Sequence, residues 1–355
     1  MEQMTKATCH FLLSCALLYC ARGPNAFAQV ATPPPSISEL VYERAEVPAS
    51  EATPTEVREM ATQDEQEDRS LLNWQTPTLG GKQFWTDFQW RGGWRIQQNV
   101  LTKHWRLLDP NNVRQAWGTR AACDAELNQR QPNKLMHTTH AVILMHGLGR
   151  TSSSMKGLAK YLEENGFGTT ICLEYASSRD SIAHHATALR DVISGLPSDV
   201  RLDFIGHSMG NIVVRHAIGD WQQANDLSVL SRIEHVVMLG PPNQGASIAR
   251  QLARTGVFGF VAGEGALELG KKWNELEQRL ATPPCAFGIV AGRLAESSIK
   301  NPLVEGASDF VVGVEETKLD GATDFLEVPV LHSFLMDSPE VQRAVGNFLK
   351  TAKFQ

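Results

Sequence analysis

The chain has 355 residues, is 42% hydrophobic and 20% charged, and carries a formal net charge of −6. Residues 29–70 hold ten acidic and three basic residues, and residues 1–28 hold two basic and one acidic, so residues 71–355 are neutral. A neutral folded part argues against a nucleic-acid partner, which would require a basic stripe.

Residues 1–28 combine Lys6, an apolar run from about Phe11 to Cys20, and Ala26-Phe27-Ala28. That is the layout of a secretory signal peptide cleaved after Ala28, and it predicts a secreted or periplasmic protein. The apolar run is shorter than the ~20 residues that span a bilayer. Tyr19 is too large for a lipoprotein signal at Cys20. Residues 29–70 are rich in Pro, Glu and Ser and hold few apolar groups. Such a segment cannot offset its ordering entropy and is expected to be disordered.

Residues 71–355 read as the folded domain. Alternation around Gly92-Gly93 predicts an antiparallel hairpin with strands near 84–90 and 94–108, and a helix near 113–128. The tryptophans of this stretch read as packing residues rather than a carbohydrate-binding face. Apolar runs and helical patterns then alternate. Strands are predicted in HAVILMHG, FGTTICLEYA, VRLDFIGHS, IEHVVMLG, AFGIVAG and FLEVPV. Helices are predicted in SSSMKGLAKYLEENG (serine-capped, glycine-stopped), SIAHHATALRDVISGL, MGNIVVRHAIGDW, SIARQLART and SPEVQRAVGNFLK. Alternation of this kind predicts an α/β fold, a mostly parallel sheet with helices on both faces and ligands at the carboxyl ends of the strands. Of six cysteines, three lie in the leader, and Cys123, Cys172 and Cys285 remain. An odd count leaves a thiol unpaired, and Cys172 and Cys285 read as buried small hydrophobes.

Ser208 falls at a predicted strand-to-helix junction, within Gly206-His207-Ser208-Met209-Gly210. A sharp turn there crowds the positions two before and two after the serine, so glycine-sized residues are needed at Gly206 and Gly210. The turn lifts the hydroxyl clear of the sheet and sets it at a helix N-terminus, where free N–H groups favour developing negative charge. A nucleophilic serine needs oxyanion donors. His146-Gly147-Leu148-Gly149 ends an earlier strand, which assigns the donors to the backbone N–H groups of Leu148 and Met209. His146 precedes the serine and reads as a brace for that loop. His332, between the last strand and the last helix, is the candidate base, and Asp309 is the candidate acid that orients it.

Together these residues resemble the α/β-hydrolases of the lipase/esterase branch. The likeness runs from about His140 to Leu349. It rests on HGLGRTSSSM, EYASSRDSI, GHSMGNIVVR, GPPNQGA, SDFVVGVEET and VLHSFLM. It implies an eight-stranded hydrolase sheet and an acyl-enzyme mechanism with nucleophile, acid and base on Ser208, Asp309 and His332. The family often has Asp-Gly where this chain has Asp309-Phe310. A cap insertion is expected over about 249–283, as a lid or acyl pocket or as an ordinary helix pair over the sheet.

No cofactor and no metal are expected. There is no Cys-x-x-Cys pair, and the HTTH at 137–140 lacks further ligands, which argues against a catalytic metal. The expected function is a secreted serine hydrolase of carboxylic esters acting on a small-molecule or lipid ester, with transient membrane or lipid-surface contact through the cap. Acyl transfer or thioester cleavage would use the same triad. A non-catalytic binding protein on a hydrolase fold is the alternative of a different class.

Overall fold

The computed structural model describes residues 76–77, 82–131, 139–245, 268–270, 272–295, 301, 304 and 306–355. The leader over 1–28, the acidic segment over 29–70, the helix expected at SIARQLART and most of the cap lie outside the described residues.

Five short strands come first: β1 (Thr76–Pro77), β2 (Trp85–Arg91), β3 (Trp94–Asn99), β4 (Trp105–Leu108) and β5 (Val113–Gly118). They form one antiparallel sheet in the order β1-β5-β4-β3-β2. The hairpin turn falls at Gly92 and Gly93, both at positive φ, as expected. The strand expected over 94–108 is two strands. Asn99 ends the first by accepting the N–H groups of Leu101 and Thr102, each at 3.0 Å, and so closes a turn. The helix expected near 113–128 starts later. Residues 113–118 are β5, Gly118 turns the chain at φ 127, and Thr119 caps α1 (Arg120–Arg130) through the Ala122 N–H. The tryptophans serve packing. Trp85 meets Trp117 at 5.6 Å, Phe88 meets Trp105 at 5.1 Å, and the Arg106 guanidinium lies 3.8 Å over Trp85.

The chain then alternates strand and helix: β6 (His140–Met145), α2 (Lys156–Glu164), β7 (Thr169–Leu173), α3 (Ile182–Ser194), β8 (Arg201–His207), α4 (Met209–Gln223), α5 (Leu227–Leu230) and β9 (Ile233–Leu239). After it come α6 (Trp273–Glu277), β10 (Ala286–Gly292), α7 (Val314–Thr317), β11 (Asp324–Val328) and α8 (Pro339–Thr351). The strands form an all-parallel sheet of six, in the order β11-β10-β9-β8-β6-β7. The eight-stranded sheet implied by the resemblance is thus replaced, among the described residues, by six parallel strands and a separate antiparallel sheet. The two meet where β2 runs beside the end of β7. Asp87 N–H donates to the Glu174 carbonyl at 2.8 Å, and Glu174 N–H donates back to the Asp87 carboxylate at 2.8 Å.

Alternation along each strand supplies a core on both faces. Ala141, Ile143 and Met145 of β6 pack with α3 and α4 on one face, and Val142 and Leu144 pack with α2 and α8 on the other. α3 is capped by Ser181, which accepts the His184 N–H, and α8 opens on Ser338-Pro339 as expected. α2 lacks the expected serine cap: Ser152–Met155 form a 3-10 turn ahead of it, Met155 takes the cap position, and the Ser152 hydroxyl donates to Glu174 at 2.6 Å. The described part of the cap, with Trp273 and Leu276 of α6, packs into the core on the α4 side, and Arg215 Nε of α4 donates to the Ala281 carbonyl at 2.9 Å. Cys123, Cys172 and Cys285 are free thiols; Cys123 is buried, whereas Cys172 and Cys285 are half-buried rather than fully buried as expected, and desolvation pushes each thiol up to about 12.

Candidate active site

All the candidate residues lie beyond the carboxyl ends of parallel strands: the donor loop after β6, Ser208 after β8, Asp309 after β10 and His332 after β11. Parallel strands point their carboxyl ends the same way, so one fold brings together residues far apart in sequence.

Ser208 is held at φ 54 and ψ −124, outside the regions an L-residue adopts freely. The reason is packing. A Cβ on Gly206 would lie 2.3 Å from Asn211 Oδ1, and one on Gly210 would lie 2.5 Å from the Met145 carbonyl oxygen. Both glycines are therefore required by contact, as the sequence spacing predicts. Ser208 N–H donates to the Leu239 carbonyl at 2.9 Å, and the Asn211 amide donates to the Ser208 carbonyl at 3.0 Å. These bonds fix the strained turn and leave the serine partly exposed.

His332 and Asp309 form a buried pair. His332 Nδ1 lies 2.6 Å from Asp309 Oδ2, so Nδ1–H donates to the carboxylate and Nε2 is left for another partner. The other Asp309 oxygen accepts the N–H groups of Val311 at 3.0 Å and Val312 at 2.7 Å. Each carboxylate oxygen thus has a fixed task. The turn that makes this possible runs through Phe310 at φ 85, so a phenylalanine takes a left-handed conformation that glycine adopts most readily. Gly292 at the end of β10 makes room, since a Cβ there would lie 2.4 Å from the Asp309 Cβ. Asp324 is bound elsewhere, accepting the Phe354 N–H at 2.8 Å at the start of β11, and Asp320 is exposed.

Close approaches join the parts. A Cβ on Gly147 would lie 3.1 Å from the Ser208 Cβ and 2.9 Å from His207 Nδ1. The His207 and His332 rings lie 4.8 Å apart, and His207 Nε2 lies 2.9 Å from the His332 carbonyl oxygen. Burial, then the adjacent His332, holds His207 far below the usual histidine range, so it is neutral and donates from Nε2.

The donor loop is braced from several sides. His146 is buried, donates from Nδ1 to the Gly147 carbonyl at 2.9 Å and stacks on Tyr175 at 4.0 Å. The Tyr175 hydroxyl donates to the His146 carbonyl. Gly149 N–H donates to Ser177 Oγ at 3.1 Å, Arg150 N–H to the Gly147 carbonyl at 3.2 Å, and Ser152 N–H to Glu174 at 3.3 Å. Met209 is the first residue of α4, where helix geometry gives the N–H no partner within the helix, and Leu148 lies in the braced loop. Gln83 also holds this loop: its amide donates to the Arg150 carbonyl and accepts the Ser177 hydroxyl at 3.3 Å. Sequence reasoning missed Gln83, Glu174, Tyr175 and Ser177 as braces. One signal was present for Glu174, an acid that directly follows an apolar run at the carboxyl edge of the sheet.

The family model described as "Putative serine esterase (DUF676)" matches residues 136–240, from the donor loop through the serine turn. Among curated proteins none matches this chain. Solved structures similar to it include the mature form of the Bacillus licheniformis lipase BlEst2, with 16% identity over 62% of this chain and 95% of that one, TM-score 0.45. The lin2722 product of Listeria innocua follows with 16% identity over 60% and 94%, TM-score 0.43. The phospholipase PlaB of Legionella pneumophila has 22% identity over 51% and 46%, TM-score 0.37.

Proposed function

We propose that this chain is an exported serine hydrolase that cleaves carboxylic esters through an acyl-enzyme on Ser208. The observation that carries the reading is the strained Ser208 turn, which lies in the segment that matches a serine-esterase family model, together with the buried His332–Asp309 pair outside that segment. In this reading His332 Nε2 takes the serine proton as Oγ attacks the ester carbonyl. Asp309 holds the ring tautomer and stabilises the imidazolium. The N–H groups of Leu148 and Met209 donate to the developing oxyanion, each worth ~3 kcal/mol of barrier. The alcohol leaves with the proton from His332, and water resolves the acyl-enzyme by the same steps in reverse. No metal or cofactor enters the sequence of steps. Export rests on the leader pattern of residues 1–28.

The test is labelling with a fluorophosphonate, which reacts only with an activated serine. Labelling is expected at Ser208 alone, and Ser208→Ala is expected to abolish both labelling and cleavage of a short-chain ester. Modification of a different serine in the intact protein sinks the assignment.

A further inference from the structure

The amino edge of the parallel sheet, opposite the hydrolase site, carries a second group of chemically capable side chains. Asp203 on β8 is fully buried, and the strands on either side bring His140 of β6 and Glu234 and His235 of β9 to it. His140 Nε2 lies 2.7 Å from Asp203 Oδ2 and 3.9 Å from Glu234 Oε2. The two carboxylates are oriented in the same manner. His235 Nδ1 holds the outer Asp203 oxygen at 3.1 Å, and Arg201 holds the outer Glu234 oxygen at 2.8 Å. In each case the other oxygen is turned toward His140. The inner donor atoms of His140, Asp203 and Glu234 all lie within 4.8 Å of one another.

We propose that His140, Asp203 and Glu234 form a divalent-cation site, of the kind zinc fills, at the amino edge of the sheet. Zinc sits ~2.0–2.2 Å from nitrogen and oxygen donors, which puts tetrahedral donors roughly 3.3 Å apart. The distances of 2.7 and 3.9 Å from His140 bracket that spacing, and the three donor atoms lie within 4.8 Å of one another. Without metal, the proton of His140 Nε2–H lies between the nitrogen and the Asp203 oxygen, the place a cation takes when that proton leaves. An imidazole in the donor set favours zinc over magnesium or calcium. His140 and Glu234 are partly exposed, which leaves an entry path and room for a water as fourth ligand. The HTTH segment has no further ligand of its own, and the sheet supplies Asp203 and Glu234 from strands 63 and 94 residues further on. Asp203 precedes Ser208 by about 16 Å of extended strand, so the cation's role is to tie β6, β8 and β9 together rather than to take part in ester cleavage.

The test titrates untagged, metal-stripped protein with zinc chloride by calorimetry, alongside His140→Ala and Glu234→Gln. Glu234→Gln keeps size and shape at a partly exposed position, so the fold is retained if His140→Ala proves unstable. The expected result is one saturable site per chain, weakened ~tenfold or more in each folded variant. Zinc is expected to raise the melting midpoint of the wild type, EDTA to reverse the rise, and ester turnover to stay unchanged. The absence of a saturable site overturns the proposal. So does a site that survives Glu234→Gln at full affinity, since the ion then sits elsewhere.

Discussion

Phe310 holds a φ of 85 in the turn that aims Asp309 at His332. Bulky L-residues enter that region at a cost of ~1–2 kcal/mol, so the turn stores strain beside the proposed acid. Phe310→Gly relieves it and is expected to keep turnover within about threefold. Phe310→Val places a β-branched side chain where it is least tolerated, and turnover is expected to fall more than ~tenfold. Equal turnover in the two variants would show that the left-handed turn is not what positions the acid. The acid itself is tested by charge removal. Asp309→Asn is expected to cost turnover on the order of 10⁴, the figure known for the serine-protease precedent. Asp320→Asn and Asp324→Asn are expected to stay within about tenfold, near 1.4 kcal/mol of barrier. A crippled Asp324→Asn with a mild Asp309→Asn would move the acid to β11.

At the scale of elements, the antiparallel sheet does more than cover the end of β7. The turn before β2 carries Gln83, which grips the donor loop at the Arg150 carbonyl and, through Ser177, at Gly149. Oxyanion donors help only when held in place before the charge develops. Gln83→Ala is therefore expected to lower kcat about tenfold on a short ester with little change in KM, because the loop loses orientation rather than substrate contact. An unchanged kcat would reduce the sheet to packing. This link was not legible in the sequence, because Gln83 lies in a polar turn with no periodicity and its partners are more than sixty residues away. The serine turn was legible, because Gly206, Ser208 and Gly210 are neighbours and a local steric rule fixes their spacing. β10 was legible to the residue, since AFGIVAG is an unbroken apolar run closed by a glycine. The stretch from 94 to 118 was not, because Asn99 and Gly118 break strands through turns that alternation alone does not mark.

The whole molecule places neutral histidines inside a two-faced apolar core, and this sets its response to acid. His185 on α3 is fully buried against Tyr175 at a ring distance of 4.8 Å. Burial, aided by the nearby His184 and His146, pushes it down to about 3. In the unfolded chain the same group takes its proton near ~6.5. Between those values the unfolded state binds a proton that the folded state does not, so stability falls as pH falls from ~6.5 toward 3. The slope for one such group approaches ~1.36 kcal/mol per pH unit, or about 2 kcal/mol between pH 6.5 and 5. His207 is pushed down by burial in the same sense and adds to the wild-type slope, but it sits against His332 and is left intact in this comparison. His185→Leu removes one buried titrating group, similar in volume and remote from the Ser208 turn in sequence. Denaturant unfolding of both proteins at pH 6.5 and pH 5 isolates the term. The variant is expected to gain ~2 kcal/mol on the wild type over that interval. A stability gap that does not change with pH would mean that His185 takes its proton within the fold at an ordinary value, and the acid sensitivity would then lie with other groups.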